Sequence, residues 1–325
     1  SVLSRKGLKT LIIDTDPGID DAMAIHYAFA HAGLDVLGLT TIFGNVFAWQ
    51  AARNALLLSE QAHYPLDVIE GASCPLTQPL NPPSHHVHGK EGFGDLPAQT
   101  PQGTPLAKTT DAYLSEVCRA HSGEVILCPV GPLTNIASLL RYDPGIVKHV
   151  KKLVIMGGAV WAPGNVSAYA EANIWNDPHA ADAVFAADWD IDLIGLDVTQ
   201  TIDCDDADFK ALRQAAPEIG GFLHEISGFY IKFYHSVIDR HVCLMHDPSA
   251  LIAITDDELF TYRTTPLSVV CSGEQTGRTV PDDSLDRRGV RVAVGADAAK
   301  IKARFLDICG QADKMKQLRE MDVML

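Results

Sequence analysis

The chain is short of positive charge, of long apolar runs and of paired cysteines. Against 41 Asp and Glu stand only 26 Lys and Arg, for a formal net charge of -15. Nucleic-acid binders concentrate Lys and Arg to displace counterions from phosphates, so this balance argues against such a partner and for a neutral small molecule or a cation. No stretch approaches the eighteen or so apolar residues of a membrane span, which argues against a membrane partner. The seven cysteines (Cys74, Cys118, Cys128, Cys204, Cys243, Cys271 and Cys309) are odd in number, scattered and free of any C-x-x-C pair. They read as reduced core residues rather than disulfides or zinc ligands. The opening segment, Ser1 to Lys9, lacks the apolar core of a secretion signal, so a cytoplasmic location is expected. Repeats, low-complexity tracts and dividing linkers are also lacking, and one domain spanning 1–325 is expected.

What is there is a βα alternation. Short apolar runs at Leu11–Ile13, Val36–Ile42, Leu66–Ile69, Val125–Cys128, Leu153–Met156 and Ile191–Leu196 alternate with helical patterns at Asp20–His31, Val46–Gln61, Thr109–His121, Leu133–Leu140 and His179–Ala187. This predicts an α/β fold with an open, mostly parallel, Rossmann-like sheet and flanking helices, and an active site at the carboxyl ends of the strands. Pro217–Arg240 reads as a long helix carrying Phe222, Phe229, Tyr230, Phe233 and Tyr234. Strand-like runs return at Leu267–Cys271 and Val290–Val294, and a helix follows from about Ala296. The Pro- and Gly-rich segment 73–105 is long for an idle connection and reads as a lid or binding loop.

The chemistry concentrates in Asp14-Thr15-Asp16-Pro17-Gly18-Ile19-Asp20-Asp21, where four carboxylates follow an apolar strand and precede a helix. An acidic first helical turn would account for Asp20 and Asp21 through the helix dipole. It accounts less well for Asp14 and Asp16, and four like charges this close repel unless a cation sits among them.

Four further polar clusters follow apolar runs or open helices. Phe43-Gly44-Asn45 offers a tight turn and an amide. Pro129 to Asn135 contains a Gly-Pro turn that could aim the Val130 carbonyl at a cation. Met156-Gly157-Gly158 leads to Asn165, Glu171 and Asn173, whose spacing suits a polyhydroxylated ligand. Met245-His246-Asp247-Pro248 places a His beside an acid where Asp247 could instead cap a helix. His85, His86 and His88 are close enough for a transition metal, yet the ligand set is mainly oxygen and favours calcium or magnesium.

With these clusters in order, the chain resembles the inosine-uridine nucleoside hydrolase family over nearly its whole length. The acidic run is close to the family signature D-x-D-P-G-x-D-D. Phe43-Gly44-Asn45, His88-Gly89, Gly131 to Asn135, Met156-Gly157-Gly158, Glu171-Ala172-Asn173 and His246-Asp247-Pro248 follow in the family's order.

The resemblance implies hydrolysis of ribonucleosides to ribose and free base. One Ca²⁺ per subunit would be held by Asp16, Asp21, Asp247 and the Val130 carbonyl, and Asp16 would act as general base toward water. Asp20, Asn45, Met156, Asn165, Glu171, Asn173 and Asp247 would bind ribose. His246 would assist departure of the base, and His88, Tyr230 and Tyr234 would line the base pocket. A homodimer or homotetramer is implied as well. Gly89 stands where purine-specific relatives carry a tryptophan, which points to a nonspecific or pyrimidine-leaning member.

Two rivals share parts of this pattern. A haloacid-dehalogenase-type phosphohydrolase would use Asp14-Thr15-Asp16, but it needs Lys and Ser or Thr at further strand ends, and no convincing set is present. A calcium-dependent nucleoside or ribose binding protein would keep the pocket without turnover.

Overall fold

The computed structural model describes residues 7–324, so most of the opening segment read for a secretion signal lies outside the described residues. Eight strands form the main sheet: β1 (Lys9–Thr15), β2 (Leu34–Thr41), β3 (Asp67–Glu70), β4 (Val125–Pro129), β5 (Lys152–Met156), β6 (Ile191–Ile194), β9 (Phe260–Thr265) and β12 (Val290–Ala296). Two short antiparallel pairs complete the strands, β7 (Asp203–Asp205) with β8 (Val242–Leu244), and β10 (Leu267–Val269) with β11 (Thr279–Pro281). The main order is β3-β2-β1-β4-β5-β6-β12-β9, parallel except for β9.

Period-two alternation divides β1 between two apolar layers. Leu11 and Ile13 join the cluster on one face, whereas Ile12 joins the cluster on the other. The helices of the first layer are α1 (Ile19–Ala30), α2 (Ala48–Ala62), α10 (Ile219–Ile238), α11 (His246–Thr255) and α12 (Ala298–Cys309); the second is supplied by α4 (Thr110–Ala120), α5 (Thr134–Tyr142) and α7 (Pro178–Ala186). Short helices α3 (His85–His88), α6 (Ala172–Asn176), α8 (Leu196–Thr199), then α9 (Asp206–Ala215) and α13 (Ala312–Met324) fill the connections and the end. Every residue of α1 is buried. Its N-terminus therefore meets the sheet deep inside the molecule.

The chain leaves β1 toward β2 on one side and returns to β4 on the other. The carboxyl ends of β1 and β4 thus flank a topological switch point, the crevice where open α/β sheets bind ligands. Among the described residues no helix is long and apolar enough to cross a membrane.

Three sequence expectations shift. The run at Leu267–Cys271 stops at Val269 and pairs with β11, outside the main sheet. The closing helix begins at Ala298, because β12 continues to Ala296 and the Asp297 carboxylate accepts from the Lys300 N–H. The long aromatic helix begins at Ile219 rather than Pro217. Asp313 explains that start, since its carboxylate accepts from the N–H groups of Glu218 and Ile219, both at 2.8 Å.

Candidate active site

Strand β1 delivers the acidic run into the crevice, and the neighbouring loops are shaped to approach it. Asp16 Oδ2 accepts from the Asn45 N–H at 2.8 Å, while Asn45 Nδ2 donates to Asp21 Oδ1 at 2.9 Å. That approach requires the glycines. A Cβ on Gly44 would lie 2.1 Å from Asp16 Oδ2, and one on Gly131 would lie 2.9 Å from Asp16 Oδ1. Asp21 turns back on its own loop, accepting from Thr15 Oγ1 at 2.7 Å and from the Asp16 and Gly18 N–H groups at 3.3 Å. Asp14 sits one step back in the strand, with Oδ2 accepting from Thr40 Oγ1 at 2.6 Å and Asn135 Nδ2 at 2.8 Å.

The distant Asp247 joins this group through its backbone N–H, which donates to Asp20 Oδ2 at 3.0 Å. Asp247 does not cap α11 as its sequence context allowed: Met245 is the cap and Asp247 lies in the first turn. Burial pushes the carboxyls of Asp16 and Asp20 well above the ordinary range, and the charge of Asp21 pushes them further. Asp247 is raised first by burial, then by Asp20, Asp21 and Asp16; burial also raises Asp21. In Asp14 burial overcomes the two donors and lifts the pKa to about 7.

Three buried oxygens, Asp14 Oδ1, Asp16 Oδ1 and Asp20 Oδ1, find no donor among the described residues. Among the described residues no three His, Cys, Asp or Glu side chains close into a ready metal cage. The donor chemistry nevertheless fits a hard cation. Buried, mutually repelling carboxylates with idle lone pairs are costly unless protonated or neutralised by a bound charge.

At the carboxyl end of β4, the Val130 carbonyl is not left unpaired as the Gly-Pro turn suggested. Asn173 Nδ2 donates to it at 3.0 Å and to the Met156 carbonyl at 3.0 Å. A carbonyl has a second lone pair, so this bond orients the group without exhausting it. Glu171 caps α6, its carboxylate accepting from the N–H groups of Gly158 at 2.9 Å, Asn173 at 2.8 Å and Ile174 at 3.2 Å. Burial still raises its pKa against those three donors. Asn165 Oδ1 accepts from the Ala172 N–H at 3.0 Å, leaving its amide nitrogen to the cavity.

Opposite lies an aromatic wall from α10. Tyr230 and Tyr234 hydroxyls are 3.3 Å apart, Tyr234 Oη is 2.9 Å from His246 Nε2, and His246 Nδ1 is 2.7 Å from Thr199 Oγ1. Burial lowers His246 to about 4. His88 is lowered to about 3, first by burial and then by the neighbouring imidazoles of His246 and His86. Its Nδ1 accepts from the Ile19 N–H at 3.0 Å, which places the ring proton on Nε2.

Every residue that the family resemblance assigns to the site, except Asp16 and Asp21, lines one cavity of about 760 Å³, and those two are buried and bonded to Asn45, which does line it. Sequence reasoning missed Thr199 and Gln200, which adjoin the end of α8 and border His246 and the cavity. Their signal was positional: they follow closely on the carboxyl end of β6, on the same rim as the other clusters. It also missed Asn54, a polar residue on the apolar face of α2.

The inosine-uridine preferring nucleoside hydrolase family model matches residues 11–303. The chain is 40% identical over 278 residues to uridine nucleosidase 1 of Arabidopsis thaliana, covering 85% of this chain and 83% of that protein. The solved plant nucleoside hydrolase PpNRh1 superposes with a TM-score of 0.90 at 34% identity, over 93% of this chain and 99% of that one. A purine-preferring ribonucleoside hydrolase from Gardnerella vaginalis gives a TM-score of 0.90 at 32% identity, over 94% and 99%. A match of this extent, over a rim where the acidic run, the Gly44 turn and the His246 step converge, establishes that the chain belongs to the inosine-uridine preferring nucleoside hydrolase family and is an N-glycosyl hydrolase.

Proposed function

We propose that this protein hydrolyses the N-ribosidic bond of ribonucleosides to ribose and free base in a Ca²⁺-dependent reaction, with nonspecific or pyrimidine-leaning base preference. One observation carries the reading: Asp20, a buried carboxylate with an idle oxygen, and Asp247 line the same cavity as Tyr230, Tyr234 and His246. Cleavage of such a bond builds positive charge on the sugar in an oxocarbenium-like transition state. The carboxylates of Asp16, Asp20, Asp21 and Asp247 stabilise charge of that sign where it develops.

Asp16, Asp21 and Asp247 with the Val130 carbonyl would hold the cation. When bound, it would supply orientation of ribose hydroxyls and easier deprotonation of water. Asp16 is the general base, since its Oδ1 is buried and free to accept the proton of an attacking water. Asp20 and Asn45, with Asn165, Glu171 and Asn173, bind the sugar hydroxyls, and Met156 packs against the ring. Asn173 does so through its Oδ1, because both amide protons are committed to the Val130 and Met156 carbonyls.

On the far side the base must leave as a poor anion. With His246 neutral by burial, proton delivery runs through the hydroxyl shared with Tyr234. His88, with Tyr230, lines the base pocket and offers an Nε2 proton. The 40% identity to a protein named uridine nucleosidase, together with Gly89, supports the pyrimidine leaning.

Free-base release from inosine, adenosine, guanosine, uridine and cytidine, with and without prior chelation of calcium, tests this reading. Release that chelation abolishes supports it and ranks the bases. No release from any nucleoside by calcium-loaded protein would point instead to a ribose-binding protein or to a hydrolase for a different ribosyl compound.

A further inference from the structure

We propose that Asn54 is a positioning residue that locks the acidic turn to the loop carrying His88, and so sets base-side binding without touching substrate. The residue is 1% exposed, on a helix face otherwise built from Ala51, Ala52, Ala55 and Leu58. A buried polar group at such a position must be satisfied or it destabilises the fold. Asn54 is fully used. Its Nδ2 donates to the Pro17 carbonyl at 2.9 Å and to the Glu91 carbonyl at 2.9 Å, while its Oδ1 accepts from Arg53 at 3.3 Å.

Those two carbonyls belong to different machinery. Pro17 sits between Asp16 and Asp20 in the acidic turn, and Glu91 lies three residues beyond His88. The same two segments meet a second time where the Ile19 N–H donates to His88 Nδ1 at 3.0 Å. The loop is therefore held to the turn at two points, directly through His88 and indirectly through the Asn54 amide of α2.

Both points are shaped by the absence of a side chain. A Cβ on Gly18 would lie 2.5 Å from His88 Nδ1, and one on Gly92, whose φ is +94°, would lie 2.7 Å from Asn54 Nδ2 and 2.8 Å from the Pro17 carbonyl. The loop is also tied to itself, the Gly94 N–H donating to the His88 carbonyl at 2.8 Å. Arg53 and Gln50 in turn hold the Glu91 carboxylate at 2.9 and 3.1 Å. Releasing Asn54 leaves that outer anchor in place but frees the turn and the loop to move against each other. His88 would then lose its register with the base while the carboxylates stay assembled.

The activity arm of the test rests on the proposed hydrolase reading; the exchange arm does not. Asn54→Asp keeps the shape and the acceptor but removes both donors. In uridine hydrolysis it should raise KM about tenfold with a smaller change in kcat, because a displaced base contact weakens binding. Partial unfolding would lower the apparent kcat and leave KM unmoved. In a His88→Ala background the same substitution should change KM less than about twofold, since coupled residues are not additive.

Hydrogen exchange at the Ile19 and Gly94 amides should quicken about tenfold in Asn54→Asp, while α4 keeps its protection. Should that variant fail to fold, Gly92→Ala, which pushes the loop off Pro17 with Asn54 intact, is read in both arms in its place. Equal KM effects with and without His88, or unchanged exchange at Ile19, would overturn the proposal. A wild type that releases no base sinks the hydrolase reading and leaves the exchange arm to decide this one.

Discussion

Tyr234 Oη lies 2.9 Å from Nε2 of His246, and the opposite nitrogen of that ring is held by Thr199. The imidazole is thus fixed at both ends and kept neutral by burial. His246→Ala should lower kcat on inosine by about a hundredfold or more, the range of a lost general acid. The loss should be much smaller on an activated nitrophenyl riboside, which needs no acid. Tyr234→Phe should show the same selectivity at lower magnitude. Equal losses on both substrates would remove this pair from proton delivery.

Asp16 is both a proposed base and a proposed cation ligand. Asp16→Asn should abolish turnover yet leave a folded protein, because relieving one charge among four buried carboxylates offsets the lost contacts. Chelation should lower the melting temperature of the wild type, as removal of any ligand bound only by the native state does, and should lower that of Asp16→Asn far less. Differential scanning fluorimetry with and without chelator reads both, and equal shifts would detach the cation from Asp16.

A third prediction concerns the sugar. If the cis-hydroxyls are bound where the carboxylates converge, 2′-deoxyuridine should be a much poorer substrate than uridine, with the loss in kcat as well as KM. Cleavage of both at similar rates would contradict that placement.

Gly18 is closed to any side chain because His88 packs on it. Gly18→Ala should displace His88 and break its bond from the Ile19 N–H, costing about 1–3 kcal/mol of stability and most of the activity on natural nucleosides. Chemical denaturation alongside a kinetic assay checks both, and a variant with wild-type kinetics would show that the contact is dispensable.

His26 supplies a pH-dependent term away from the site. It is fully buried on α1 with Nε2 2.6 Å from Gln61 Oε1, and burial lowers its pKa from 6.5 to about 4. The folded state therefore binds fewer protons than the unfolded state between those values. The stability of neutral His26 is full above pH 6.5 and is lost progressively as pH falls toward 4. Between about pH 7.5 and about pH 5, urea melts of the wild type should lose about 2 kcal/mol more than those of His26→Gln. Parallel pH profiles would place the titrating group elsewhere.

Much of this architecture could be read in the chain because its parallel strands are buried on both faces and so appear as apolar runs such as Leu11-Ile12-Ile13. Strand β9 escaped because only Phe260 and Thr265 are buried along it. It forms an edge whose pairing with β12 leaves no apolar run. The acidic turn, the Gly44 turn and the His246 step were visible as local motifs. The two-sided use of Asn173 and the bridging amide of Asn54 were not, because each depends on a backbone carbonyl from a remote segment. A residue type shows what a side chain can donate; only the assembled fold shows to what.

The bond between the Asp247 N–H and Asp20 joins residues 227 positions apart. During synthesis the acidic turn emerges early, whereas the helix bearing Asp247 emerges only after β1 to β8. Until then the turn is an open patch of negative charge without its last carboxylate. Closing such a site carries the loop-closure cost of a long-range contact, which is met only once the intervening chain is in place. A truncated chain ending before residue 246 would carry the whole acidic signature and still lack the carboxylate that closes the group.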